Sequence, residues 1–193
     1  MTRHLDHKAQ LAALAQASPW LRTALCAVQQ LGLPQWCIGA GAVRNLVWDA
    51  LHGHETPTPL SDVDVAFFDA DDVSPERDAR LQAQLQQRLP ALPWEVTNQA
   101  GVHLWFEACF GHAVAPLTSL EDAVASWPEC ATAVGLTLTR EGAIEVIAPH
   151  GLDDLFAMVV RRNPARVSVE TYRLRVAGKR YLQRWPRVTV LRA

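Results

Sequence analysis

The chain has 193 residues, 49% of them apolar and 20% charged, with a formal net charge of −2. That balance excludes an intrinsically disordered chain and a strongly basic nucleic-acid binder, although the stretch from Arg161 to Arg192 is locally basic, and the size suits one domain with a continuous core. Met1 to Lys8 lacks an apolar segment behind its basic start and no later run reaches bilayer length, so neither secretion nor membrane insertion is expected.

Between Lys8 and Leu31 the residues Leu11, Leu14, Leu21, Leu25 and Val28 recur at helical spacing. Ser18-Pro19 interrupts them, and because proline favours a fresh helix start the spacing predicts two helices over 8–31. Gly32 and Pro34 end the second, and Gln35 to Ile38 reads as a strand running into the turn Gly39-Ala40-Gly41. From Ala42 to Leu51, Val43, Leu46, Val47 and Ala50 share one face of a helix that gives way at Gly53 to a polar, proline-bearing loop. Asp62 to Phe68 alternates aspartate with valine and then turns apolar, as a strand does when it enters the core from a wet edge. Pro75 to Arg88 is a polar-faced helix, and Trp94 to Thr97 a third strand. Ser119 caps a short helix that stops near Pro128, while Val134 to Thr139 and Ala143 to Ile147 form a hairpin around Arg140-Glu141-Gly142. Helices over 152–161 and 169–184 close the order. Cys26, Cys37, Cys109 and Cys130 are too scattered for a zinc site, and reduced thiols in a cytoplasm are the expectation.

Two of these elements carry chemistry. Residues i and i+2 of a strand project from one face, so Asp62 and Asp64 present paired carboxylates while Val63 and Val65 face the other way. Paired carboxylates repel unless a cation lies between them, and Mg²⁺ is a hard, oxygen-seeking ion that needs only one or two of them when phosphate and water complete its shell. Upstream, Gly39-Ala40-Gly41-Ala42-Val43-Arg44-Asn45 places small residues where a strand meets a helix, with helix-start N–H groups open to phosphate oxygens. Each pattern alone also reads as plain structure: a half-solvated strand and a closely packed turn.

In this order the two resemble the signature of the DNA polymerase β-like nucleotidyltransferase superfamily, a strand and glycine-bearing turn opening a helix, then a strand with Asp-x-Asp. Gly41-Ala42-Val43-Arg44-Asn45 looks like the Gly-x-Val-Arg-Asp version in tRNA nucleotidyltransferases and poly(A) polymerases. Over nearly its full length the chain resembles a family of small bacterial nucleotidyltransferase-like proteins. The matching stretches are Gly39 to Asp49, Ser61 to Phe68, Trp94 to Gln99 with His103, Ser126 to Glu129, Ala148 to Leu152 and Arg184-Trp185-Pro186. The resemblance implies an α/β (α+β) fold, a nucleotidyltransferase-like mixed β-sheet flanked by helices. The expected organisation is a single domain over 1–193, with the N-terminal helices (8–31) and C-terminal helices (152–184) packed on the core.

The same resemblance implies transfer of a nucleoside monophosphate from an NTP to a hydroxyl acceptor, which could be a small molecule, RNA or protein. Asp62 and Asp64 would hold Mg²⁺ (or Mn²⁺), and Glu95 matches the third acid that helps activate the acceptor. Gly39, Gly41, Ala42, Arg44 and Asn45 would bind nucleotide, and Arg173, Lys179 and Arg180 on the last helix could close over the phosphates. Ala40 and Ala42 depart from the glycine- and hydroxyl-bearing versions of the turn, which leaves open a module of the same fold that binds nucleotide without transferring it. His103 could bind substrate or act in proton transfer. His52 and His54, read as loop residues, could join Asp62 and Asp64 in a transition-metal hydrolase site. The seven tryptophans are expected to be mostly core or helix-packing residues rather than a base-stacking platform.

Overall fold

Asp6 opens the first helix by accepting hydrogen bonds from the N–H groups of Lys8 and Ala9, and α1 (His7–Ala17) ends at Ser18. Pro19 then starts α2 (Pro19–Gln29), whose Leu21, Ala24, Leu25 and Val28 are buried. The computed structural model describes residues 6–192, so Met1 to Leu5, read above for the lack of a leader-like stretch, lie outside the described residues. Among the described residues no helix is long and apolar enough to cross a membrane.

The expected mixed sheet has five strands, β1 (Trp36–Gly39), β2 (Val63–Phe67), β3 (Trp94–Asn98), β4 (Gly135–Leu138) and β5 (Ile144–Ile147), in the spatial order β3-β2-β1-β4-β5. Between β1 and β2 the chain runs through α3 (Ala40–His52), which Gly53 stops in the left-handed conformation at φ 69°. Strands β2 and β3 are parallel, and the crossover that parallel pairing needs is α4 (Pro75–Arg88). The other pairings are antiparallel, and β4 and β5 form the expected hairpin, turning at Gly142. One apolar cluster runs from Leu11 to Val188 and includes residues of α1 to α4, the sheet and the C-terminal segment.

Two parts of the chain differ from expectation. The first is α5 (His103–Phe110), in a stretch whose sequence predicts no element. Its run Leu104-Trp105-Phe106 puts large apolar residues on adjacent faces, so it lacks the 3.6-residue period that marks an amphipathic helix, and only the stop at Gly111 in the left-handed conformation is local. A further short helix, α6 (Leu120–Ala125), is capped by Ser119 as predicted.

The second difference is the C-terminal third. Instead of a helix over 152–161 there is one turn, α7 (Asp153–Phe156), after which Met158 at φ 55° redirects the chain into β6 (Val159–Val160). That strand pairs in parallel with β7 (Thr189–Val190), about thirty residues away, a partner that no local pattern announces. The predicted helix over 169–184 is two, α8 (Val169–Lys179) and α9 (Tyr181–Arg184), broken by Arg180 at φ 50°. Buried Tyr172 ties α8 to the small ribbon, its hydroxyl lying 3.0 and 2.8 Å from the carbonyl oxygens of Val160 and Leu191.

Candidate functional site

The turn between β1 and α3 is shaped by close contact. A Cβ at Gly39 would stand 2.6 Å from the Trp127 ring and 2.8 Å from the Val134 carbonyl oxygen, so only glycine fits there. Ala40 follows at φ 51°, a conformation that costs an L-residue roughly 1–2 kcal/mol, and its N–H donates to Val134 O at 3.1 Å. A Cβ at Gly41 would stand 3.5 Å from Asp62 Oδ1, which places the glycine turn against the first acid of the next strand.

Ala40, Gly41, Asp62, Asp64 and Glu95 line one cleft of about 290 Å³. Asp64 and Glu95 are register partners across β2 and β3. Burial pushes the Asp64 carboxyl up to about 7, Asp62 and Glu95 push the same way by repulsion, and Lys179 and Arg175 oppose them. The donor set is all hard carboxylate oxygen, short of a cation, and it fits Mg²⁺ or Mn²⁺ completed by phosphate and water. Among the described residues no three His, Cys, Asp or Glu are grouped closely enough to hold a metal by themselves, so Glu95 does not complete a three-carboxylate cage.

The opposite wall comes from α8, which presents Lys179 as expected together with Arg175, which sequence reading passed over. Positions 175 and 179 are one helical turn apart and share a face, whereas Arg173, two residues from Arg175, is exposed and absent from the lining. Arg180, the left-handed break after α8, is likewise outside it. The i, i+4 spacing of Arg175 and Lys179 was the available signal. Arg175 is backed by Glu129, 1% exposed, whose Oε1 lies 3.6 Å from Arg175 Nε, an ion pair too long to be a hydrogen bond. The Tyr181 hydroxyl donates to Glu129 Oε2 at 2.8 Å, and burial followed by the Glu129 charge holds that phenol protonated.

Arg44 reaches the cleft wall but is only 4% exposed. Its Nε and Nη2 donate to Asn45 Oδ1 at 3.2 and 2.8 Å, and its Nη1 donates to the Tyr181 hydroxyl at 3.3 Å. The guanidinium carbon stands 5.1 to 5.4 Å from the ring centres of Trp48, Tyr181 and Trp185. Burial lowers its proton affinity, and Tyr181 and Glu129 offset part of that. Ala42 is buried and, like Asn45, absent from the cleft lining.

The histidines do not assemble with the acids. His52, the last residue of α3 rather than a loop residue, pairs through Nδ1 with Trp48 O at 2.8 Å, and its Nε2 accepts from Arg187 N–H. His54 Nδ1 lies 3.0 Å from Asp49 Oδ1, on the side of α3 away from the cleft. The transition-metal hydrolase reading therefore loses its ligand set. His103 is outside the cleft lining, with Nδ1 buried and unpartnered among the described residues. Trp36, Trp48, Trp94 and Trp185 are core residues as expected, but Trp127 lines the cleft and Trp105 is 43% exposed.

A nucleotidyltransferase family profile matches residues 26–190. Among solved structures, an NMR structure described as revealing a CCA-adding enzyme head domain is 32% identical, with 96% of each chain covered and a TM-score of 0.78. The Thermotoga maritima CCA-adding enzyme complexed with tRNA aligns at 14% identity and a TM-score of 0.56, over 95% of this chain and 42% of its own. A tRNA-processing enzyme in an apo form aligns at 18% and 0.52, over 99% and 45%. The chain thus spans nearly all of the first structure but less than half the length of the other two, with which it shares the fold. No curated protein matches it. With the turn, the acids and the mixed sheet in place and a family match over most of its length, the chain belongs to the nucleotidyltransferase family.

Proposed function

We propose that the chain, acting as one unit, transfers a nucleoside monophosphate from an NTP to a hydroxyl acceptor. The observation that carries this is the cleft itself: acids that repel one another face Arg175 and Lys179 across about 290 Å³, beside the glycine turn. Asp62 and Asp64 would hold Mg²⁺ or Mn²⁺. A divalent ion there supplies positive charge to the triphosphate and to the attacking and departing oxygens. Arg175 and Lys179 hold the phosphate tail, and the N–H groups of the first turn of α3 can meet its oxygens. The acceptor oxygen forms a bond to the α-phosphorus as the bond to pyrophosphate breaks, and its proton passes to the Glu95 carboxylate or to water. Unpaired Cys26, Cys37, Cys109 and Cys130 fit a reducing cytoplasm, where NTPs are supplied.

The inward turn of Ala42 and the hydrogen bonds that already tie Arg44 to Asn45 and Tyr181 favour a second reading, a module that binds nucleotide without transferring it. Thermal unfolding of wild type, Asp62→Ala and Asp64→Ala with each NTP, with and without Mg²⁺, tests the site, since a ligand of the native state must raise the melting temperature. Stabilisation that requires Mg²⁺ and both aspartates is expected, and no shift with any NTP would overturn the nucleotide site. Pyrophosphate release across an acceptor panel that includes nucleosides and RNA then divides the two readings, the binding module releasing none.

A further inference from the structure

Helix α5 leaves large apolar side chains outside the core, with Leu104 65% and Phe110 47% exposed besides Trp105. Its Phe106 packs instead in a small cluster with Val102, Leu117 and Ala123. Between this cluster and the Trp127-Pro128 segment lies a second cavity of about 220 Å³, walled mainly by Trp105, Phe106, Phe110, Trp127, Pro128 and Arg166. The Arg166 guanidinium stands 5.8 Å from the Phe106 ring centre, its Nη2 donates to Ala115 O at 2.5 Å, and its Nη1 is buried without a partner among the described residues. Thr97, Gln99, Trp127, Pro128 and Arg175 line this cavity and the acidic cleft alike, so the two spaces adjoin.

Its place relative to the acids identifies what it serves. Glu95 and Thr97 are i and i+2 on β3 and point to one face, and Gln99 follows, so the strand leads from the third acid into the aromatic cavity. Lys179 lines the acidic cleft and not the aromatic cavity, whereas Arg175 lines both. We propose that the aromatic cavity seats the planar ring of a nucleoside-like acceptor, whose hydroxyl lies back along β3 toward Glu95. This rests on the transfer reaction proposed above. The volume is below the roughly 300–1,000 Å³ that encloses a drug-sized ligand, which suits a single ring system. Flat aromatic walls favour a stacking ring over a sugar or an aliphatic chain, and the Arg166 guanidinium beside Phe106 adds a cation to the same wall.

Adenosine is the probe, added to the full chain with saturating Mg²⁺ and α,β-methylene ATP, while the tryptophan indole N–H signals are followed by NMR and assigned with Trp105→Phe and Trp127→Phe. Adenosine should shift the Trp105 and Trp127 signals saturably and ribose should not. Trp105→Ala, at a half-exposed position, should weaken adenosine about fivefold or more, given the contribution of one stacked base. Absence of any adenosine shift while the ATP analogue still binds would overturn the ring pocket and leave the transfer reading standing. One-for-one displacement of adenosine by the analogue would overturn the acceptor role and assign the cavity to the donor's own base. Adenosine binding in a protein that never binds the Mg²⁺ analogue would defeat the transfer reading, and the acceptor role with it.

Discussion

The two ends of α3 handle charge and backbone in opposite ways. Near its C-terminal end Asp49 is 7% exposed and accepts from Thr58 N–H at 2.7 Å, Thr58 hydroxyl at 2.7 Å and Trp185 Nε1–H at 2.7 Å, with His54 Nδ1 at 3.0 Å. There the helix stops at a glycine, the residue for which the left-handed conformation is easy. At the N-terminal end an alanine occupies the left-handed region, and the neighbouring Asp64 faces Asp62 and Glu95 instead of donors. One end is satisfied from within the chain; at the other the acids repel one another, and Lys179 and Arg175 offset only part of that repulsion. Net repulsion together with backbone strain separates the two ends more clearly than acidity does, since both ends are acidic.

The largest expected effect breaks the ligand end. Asp64→Ala should lower pyrophosphate release at least about 100-fold, the scale of losing one electrostatic contact to a transition state, and abolish the Mg²⁺-dependent thermal shift. Its far-ultraviolet circular dichroism should match wild type, and retained turnover would remove Asp64 from the chemistry. Asp49→Ala should do the reverse. It orphans the buried Trp185 N–H and a Thr58 N–H, each costing about 1–3 kcal/mol, so the urea midpoint should fall by the equivalent of about 3 kcal/mol. A loss below about 0.5 kcal/mol, the range of a plain surface change, would end the contrast between the two ends.

The pH response follows next. Folded Asp64 binds its proton up to about 7, whereas the unfolded carboxyl releases it near its ordinary 3.8. Between those values the folded chain holds more protons, so this group makes metal-free protein less stable as pH rises from 5 to 8. Asp64→Asn should therefore melt above wild type at pH 8 without metal, the gap closing toward pH 5; equal curves would show that the repulsion is relieved by solvent. The smallest effect is Ala40→Gly, which removes the left-handed strain. It should gain about 1 kcal/mol and raise the melting temperature by about 2–4 °C for a chain of this size. A lower melting temperature would mean that Ala40 is held without strain.

Legibility followed the range over which each signal acts. Ser18-Pro19, Gly39-Ala40-Gly41, Gly53 and the alternating Asp62 to Val65 act within a few residues of themselves, and the elements they mark stand within one or two residues of their predicted ends. Arg173 and Arg175 are both cations on one helix, and the packing of Tyr172 against the β6–β7 ribbon helps set which face of α8 turns to the acids. Trp127 and Glu129 stood in a stretch recognised by resemblance, yet nothing local told that one ring would press on Gly39 and that the carboxylate would back Arg175.

By itself, then, the sequence determined the order of elements through the first three strands, the glycine turn, the paired acids and the family. Short-range periodicity and turn chemistry are enough for those. The tertiary structure alone decided that Arg44 is caged by aromatic rings, that Arg175 joins Lys179 over the cleft, and that α5 walls a ring-sized cavity beside it. Each of these joins residues tens of positions apart or more, and such contacts form only when the whole apolar cluster closes and selects one face of every helix.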